Sequence, residues 1–215
     1  MCTVRTVSDT TQHSRHSAWK IDTRSSQLTN RMFSFVGSSA GSWQVVRMDT
    51  IVGAPLEQVT NLEVFNSDFV TLPEGSKWRL RGVTSNERYV TRPERDLLTA
   101  SQASLGRPEA TCAALIPITK SASWWELTQD ERRAIFETRS HHIEIGAKYL
   151  PAIARRLHHC RDLGEQFDFL TWFEYSPADS ERFEELANTL RESEEWRYVE
   201  REIDIRLVRI DGTAV

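Results

Sequence analysis

The run SHHIEIGAKYLPAIARRLHH, Ser140 to His159, carries four of the chain's six histidines in two adjacent pairs, with Pro151 between them. Histidine is a base, a proton carrier and a metal ligand near neutral pH, so the run poses a choice among chelation, acid–base catalysis and packing. Zinc chelation wants His or Cys at helical spacings such as i and i+4. Neighbouring side chains on a helix point about 100° apart, so His141 and His142 cannot comfortably hold one ion together. A hydrolytic site is spelled by GSSAG, Gly37 to Gly41, which matches G-x-S-x-G with Ser39 at its centre. That motif works between a strand and a helix, whereas the SWQVV that follows reads as a strand, so the run is better taken as a Gly/Ser turn between two strands. The same glycines lack the Gly-Lys-Ser/Thr ending of a phosphate loop, and no C-x-x-C-H attachment motif for a c-type haem is present.

A further option is a non-covalent haem, with one axial imidazole from a helix and a polar residue on the opposite face. It needs a single histidine. His142 on a helix and Arg155 on a strand beyond Pro151 are separated by a chain reversal and could face one another across a planar cofactor. Spacing alone favours ordinary solvated or core histidines and a surface strand position for Arg155, so the choice stays open at this level.

The elements that must place these residues follow from local pattern. Thr128 and Glu131 in LTQDE make a capping box, which predicts a helix from about Gln129, broken near Ser140 and ended at Leu150 by Pro151, which has no N–H to donate. Ile153 to Cys160 alternates as a strand and sends Ile153, Arg155, Leu157 and His159 to one face. Phe167 to Tyr175, FDFLTWFEY, is a second strand dense in aromatics. Ser176 and Pro177 open a helix whose Phe183, Leu186, Ala187 and Leu190 share a face, and YVEREIDIRLVRI alternates as a last strand. Ahead of these, Ala110 to Lys120 has strand length, with Pro117 suggesting an edge or an end.

In the N-terminal half, Ser42 to Ile51 can form a strand, KWRLRGVTSNERYV supplies one or two more with Gly82 and Asn86 marking turns, and Pro93 to Gly106 reads as a short helix. From Ala110 the order is strand, helix, strand, strand, helix, strand. This is an α+β, ferredoxin-like arrangement. Residues 32–109 read as a shortened copy of the module at 110–210, and the helices of each are expected to cover one sheet face.

Composition narrows the function classes. A chain of 215 residues can bury a sizeable core, and seven tryptophans with nine phenylalanines argue for order. A net charge of -4 gives no electrostatic reason to expect nucleic acid or an anionic membrane as partner. Cys2, Cys112 and Cys160 are few, odd in number and widely spaced, which fits reduced thiols in a cytoplasm. No apolar run reaches the length of a membrane span. Residues 1–31, rich in Ser, Thr and Arg without periodicity, read as a disordered extension or an over-called start ahead of Met32.

The segments KWRLRGV through RYV, ALIPITKSASWWELTQDERRAIFE, SHHIEIGAKYLPAIARRLHHCRDLGEQFDFLTWFEY and EEWRYVEREIDIRLVRI closely resemble the chlorite dismutases in their short, dimeric bacterial form. The resemblance runs from Lys77 to Ile210, and FSFVGSSAGSWQVV, Phe33 to Val46, looks like the start of the family's chain. It implies a dimeric α/β-barrel-like fold and a non-covalent haem b with a proximal histidine. By the family's thirteen-residue spacing, the ligand corresponds to His142 and the distal arginine to Arg155. Glu195 matches the carboxylate that bonds the ligand's other nitrogen, Lys120 and Tyr89 the residues near the propionates, and Trp124 and Trp125 a tryptophan pair beside the haem. Leu157, Thr171 and Phe173 are added from strand parity as the lining of a tight distal pocket.

The chemistry so implied is conversion of the chlorite anion to chloride and dioxygen with formation of an O–O bond, by a cytoplasmic homodimer. Related readings are a haem-binding or redox-sensing module, a peroxidase, or a coproheme decarboxylase. The decarboxylase pattern wants a tyrosine four residues before the propionate lysine, where this chain has Ile116. The distal G-x-x-D-G motif of dye-decolorising peroxidases is absent from the chain.

Overall fold

Alternating apolar positions build eight strands, and in the computed structural model they close into one antiparallel barrel. The structure describes residues 31–68, 70–86 and 88–210. The extension expected over residues 1–31 lies outside these except for Arg31, whose guanidinium bonds the Thr84 carbonyl. The strands are β1 (Met32–Ser38), β2 (Trp43–Val52), β3 (Asn61–Phe65), β4 (Trp78–Thr84), β5 (Cys112–Lys120), β6 (Ala154–His159), β7 (Phe169–Tyr175) and β8 (Val199–Arg209). Around the barrel they run β1-β3-β2-β8-β5-β7-β6-β4.

Each half of the chain repeats one order: fourth, first, third, second. The halves differ in what joins the strands. In the C-terminal half, β5 leads to β6 through helices α2 (Ala122–Glu126), α3 (Gln129–Arg133) and α4 (His142–Ala147), and β7 leads to β8 through α5 (Ser180–Arg191). In the N-terminal half, residues 39–42 and 66–77 make the corresponding links. Helix α1 (Arg92–Ser101), entered through a capping box of Thr91 and Glu94, bridges the halves.

Strand parity then divides the core. Ala113, Leu115, Leu170, Trp172, Ile203 and Ile205 point into the barrel with Phe35, Leu62 and Leu80. Ala114, Ile116, Ile118, Phe169 and Phe173 point outward under Phe183, Leu186 and Leu190 of α5. Burial of each large aliphatic or aromatic side chain is worth about 1.5–3 kcal/mol, so two such layers stabilise the fold without a cross-link. Cys112 and Cys160 are both free thiols.

Two punctuation residues sit where the sequence does not lead one to expect them. Pro117 lies within β5, an interior strand flanked by β7 and β8. It is tolerated because pairing with β8 is interrupted between Leu115 and Ile118, where no amide is needed from residue 117. Gly82 lies inside β4 rather than at a turn. A side chain there would come within 2.6 Å of the His158 Cβ and 2.9 Å of the Cys160 sulfur, so the close passage of β6 requires glycine. No helix among the described residues is long and apolar enough to cross a membrane.

His158 points into the barrel between Phe33 and Phe35, with ring centroids at 4.9 and 5.1 Å. Its Nδ1–H donates to the Leu170 carbonyl at 3.1 Å, while Nε2 is buried without a partner. Burial pushes its pKa down to about 4, the Leu170 carbonyl opposing and the Arg156 charge reinforcing the shift. An unfolded His takes a proton below about 6.5, and the folded one resists until about 4. Its contribution is therefore complete above pH 6.5 and is lost as pH falls toward 4. A gap of about 2.5 pH units corresponds to roughly 3 kcal/mol. Denaturant melts at pH 7.5 and 4.5 should show wild type losing about that much more stability than His158→Gln; equal losses would refute the assignment.

Candidate functional site

A pocket opens on the outer face of β5, β6 and β7, beside α2, α4 and α5. Its space, with the solvent at its open mouth included, comes to about 1210 Å³. Ile116, Ile118, Leu157, Phe169, Thr171 and Phe173 form its sheet wall. His142 and Ile143 enter from α4 and Arg155 from β6.

The local chain path explains His142. Helix α3 starts at the Thr128 cap, with Glu131 accepting the Thr128 N–H at 2.7 Å, and passes into a π turn over Ala134–Arg139, where Ser140 N–H reaches back to the Ile135 carbonyl at 3.1 Å. His141 adopts a left-handed φ of 51° and turns the chain, so His142 becomes the first residue of a new helix. Its ring stacks on Phe136, which the π turn presents, at 4.4 Å between centroids. The helix ends at Ala147, three residues short of Leu150, because Lys148, Tyr149 and Leu150 bond back three residues and tighten the coil.

The four clustered histidines go to four environments. His141 is exposed beside Glu144 at 3.3 Å. His158 is inside the barrel, and His159 packs edge-on against Phe169 at 5.2 Å between centroids. His142 alone lines the pocket. Its Nδ1–H donates to Glu195 Oε2 at 2.7 Å, which leaves Nε2 as the basic nitrogen.

Glu195 is 4% exposed, and its other oxygen accepts from Lys120 Nζ at 2.8 Å. Burial would raise its carboxyl, but Lys120 and His142 outweigh that and hold the pKa at about 2. The carboxylate is thus permanently charged, and an anion against Nδ1 makes the imidazole a stronger donor and fixes its plane. Lys120 also lines the pocket. Its ammonium is committed to Glu195 and capped by the Trp124 ring at 4.7 Å.

Arg155 and Leu157 share the pocket face, as β6 alternation requires. The Arg155 carbonyl accepts from Gln102 Nε2 at 2.7 Å, whereas its guanidinium has no hydrogen bond or ion pair among the described residues. Burial lowers its pKa, yet arginine stays charged even so. Among the described residues, the pocket therefore holds a cation with no counter-anion.

At the rim, Tyr89 and Trp124 meet edge to face at 6.3 Å. The Tyr89 hydroxyl, the Trp124 Nε1–H and the Arg88 Nε–H are buried without partners among the described residues, and all three residues line the pocket. Trp125 does not line it. Its ring lies between Arg161 at 4.2 Å and Arg132 at 5.1 Å, and its Nε1–H donates to Asp168 at 3.1 Å. Consecutive residues on α2 diverge by about 100°, and Trp125 meets the pocket only through its stacking on Phe169 at 5.9 Å between centroids.

Phe136, Ser140 and Asn86 belong to the site although no sequence signal marks them. Ser140 Oγ accepts the Glu195 N–H at 2.9 Å, and Asn86 Oδ1 accepts the Leu157 N–H at 2.8 Å. An imidazole with its free nitrogen in an apolar slot, orphan donors at the rim and a lone guanidinium fit a flat apolar cofactor that carries carboxylates. Haem b has that chemistry.

The sequence profile described as chlorite dismutase matches residues 46–210. The chain belongs to the chlorite dismutase family. The crystal structure of the dimeric chlorite dismutase of Nitrobacter winogradskyi is similar at 55% identity, with a TM-score of 0.77 over 83% of this chain and 99% of that one. The chlorite dismutase of Candidatus Nitrospira defluvii, solved with imidazole, shares the family fold at 19% identity and a TM-score of 0.58, over 87% of this chain and 95% of that one. The chlorite dismutase of Ideonella dechloratans is 31% identical over 97 residues, 44% of this chain. That match spans about a third, 33%, of the curated relative's length.

Proposed function

We propose that the protein is a haem b enzyme that converts chlorite to chloride and dioxygen, a chlorite dismutase in activity as in family. The observation that carries the reading is the unpaired Arg155 guanidinium in the same apolar pocket as an imidazole already bonded to a buried carboxylate. Haem, when bound, supplies the iron at which chlorite is activated and oxygen is transferred.

The chain's own residues account for the rest. His142 Nε2 would hold the iron, and Glu195 with Lys120 keeps the ring oriented and electron-rich. The Tyr89 hydroxyl and Trp124 indole, which lack partners among the described residues, would donate to the haem carboxylates. Arg155 draws chlorite in and holds the negative charge as it moves between oxygens. A planar, permanently charged donor fork suits that task, and preorganised donors act strongly where water is excluded. Leu157, Thr171 and Phe173 line the pocket with Arg155 and would limit escape of a bound anion and entry of water.

Ile116 bears on the decarboxylase alternative. It stands in the pocket wall where that chemistry needs a phenol, so an apolar contact replaces the reactive group. A haem-binding or redox-sensing role would use the same pocket without chlorite turnover. Oxygen release from chlorite by the haem-loaded protein separates the two.

We further infer a cytoplasmic homodimer of two related ferredoxin-like modules, over residues 32–109 and 110–210. The support for the modules is the fourth, first, third, second strand order in both halves and the short links that replace helices in the first. The support for the dimer is the 55% identity to a protein described as dimeric.

A further inference from the structure

His142 is only as well oriented as the carboxylate that holds it, and Glu195 stands on a five-residue 3₁₀ turn, Glu194–Tyr198. Such a turn has few hydrogen bonds of its own and poor geometry in those it has. Its position must come from outside. On one side, Ser140 Oγ takes the Glu195 N–H at 2.9 Å and Ser121 N–H bonds the Tyr198 carbonyl at 2.7 Å. On the other, the Trp196 indole Nε1–H donates to Glu202 Oε2 at 2.7 Å.

Glu202 is 0% exposed and sits on β8 opposite Ile118 of β5. Its Oε1 accepts both Nε–H and Nη2–H of Arg191, at 2.8 and 2.5 Å, from the last residue of α5. Arg191 continues to Asp204 at 2.8 Å, and Arg206 also bonds Asp204. Two carboxylates thus meet two guanidiniums beneath α5, so the buried Glu202 is paired and hydrogen-bonded rather than isolated. One carboxylate oxygen anchors the helix and the other anchors the turn, both against an interior strand.

We propose that Glu202 is a positioning residue for the His142–Glu195 couple, acting through the Trp196 indole. The proposal rests on the reading of His142 as the haem ligand. Glu202 and Arg191 line the same pocket, but the indole link gives Glu202 its leverage, because Trp196 directly follows Glu195. Release of that link frees the turn to shift, and the Glu195 carboxylate moves relative to His142 Nδ1 while the Lys120 ion pair persists.

Trp196→Phe is the deciding variant. It removes the indole donor while keeping the ring that faces Lys120 at 5.4 Å and the Arg191–Glu202 pair. Haem dissociation should quicken roughly tenfold, the range seen when a partner of a metal ligand is lost. The iron–histidine stretching band of the ferrous protein should also move, and kcat should fall with KM unchanged. Glu202→Gln should move the same band in the same direction. A band and a dissociation rate equal to wild type in Trp196→Phe would overturn the proposal and leave Glu202 as a fold clamp only. The haem-free full chain, labelled on histidine nitrogen, gives a reading independent of haem. The His142 Nδ1–H resonance should be shifted downfield in wild type and displaced in Trp196→Phe; an identical resonance in both would again overturn the proposal. Failure of the wild-type chain to take up haem would instead remove the ligand assignment, and the histidine spectrum would still decide the role of Glu202.

Discussion

Replacement of His142 by Ala is expected to strip the protein of its haem while leaving it folded. The side chain is partly open to the pocket, and its loss removes one stacking contact with Phe136. The buried charge it touched is not orphaned, because Glu195 keeps Lys120 at 2.8 Å. Breaking a buried pair by removing one partner is what costs 3–5 kcal/mol, and this substitution leaves that pair whole. Among the described residues the bond to iron would have no replacement, since His141 is exposed, His158 faces the barrel interior and His159 packs on Phe169. Loss of an outer partner alone lowers metal affinity by about 10–100-fold, so loss of the ligand should exceed about 100-fold. Titration with haem, followed by the Soret band, checks this; affinity within a few-fold of wild type would show that another group binds the iron.

Arg155→Ala should do the reverse, keeping haem and losing turnover. The guanidinium makes no hydrogen bond or ion pair that the fold depends on, and burial already works against its charge, so the variant should be at least as stable as wild type. Its removal leaves the pocket without its only anion-holding cation from β6. Removal of one preorganised donor at a developing charge costs about 100–1,000-fold in kcat, and kcat/KM for chlorite should fall by at least that much. Inactivation per turnover should rise as the reactive fragment escapes. Arg155→Lys should recover part of the binding but little of the orientation, because an ammonium cannot present a planar fork. Unchanged turnover and unchanged resistance to inactivation in Arg155→Ala would remove the assigned role.

How much of this was legible in the sequence varied with how local its cause is. The Thr128 cap, the break near Ser140 and the parity that sends Arg155 and Leu157 to one face all follow from patterns within a few residues. Barrel closure does not, because it depends on the pairing of β4 with β6 at Val83 and Thr84 and of β2 with β8. No residue type advertises such edges. Pro117 shows the same limit: its interior place is set by a gap in pairing with a strand about ninety residues later.

The site divides in the same way. Choice of His142 over its three companions depends on Glu195, 53 residues onward, and became visible in sequence only through family resemblance. The same resemblance grouped Lys120 with the propionate residues and Trp125 with Trp124. What the fold adds is the pairing of Lys120 with Glu195 and the packing of Trp125 against Asp168 and two arginines. Phe136 and Ser140 have no sequence signature, since a stacking ring and a single hydroxyl acquire meaning only beside His142 and Glu195.

The central claim is that this pocket, loaded with haem, turns chlorite into chloride and dioxygen. An oxygen electrode decides it most directly. Addition of chlorite to the haem-loaded protein should release one dioxygen and one chloride per chlorite consumed, with turnover collapsing in Arg155→Ala. A normal Soret band with no oxygen released would contradict the account and leave a protein that binds haem for another purpose.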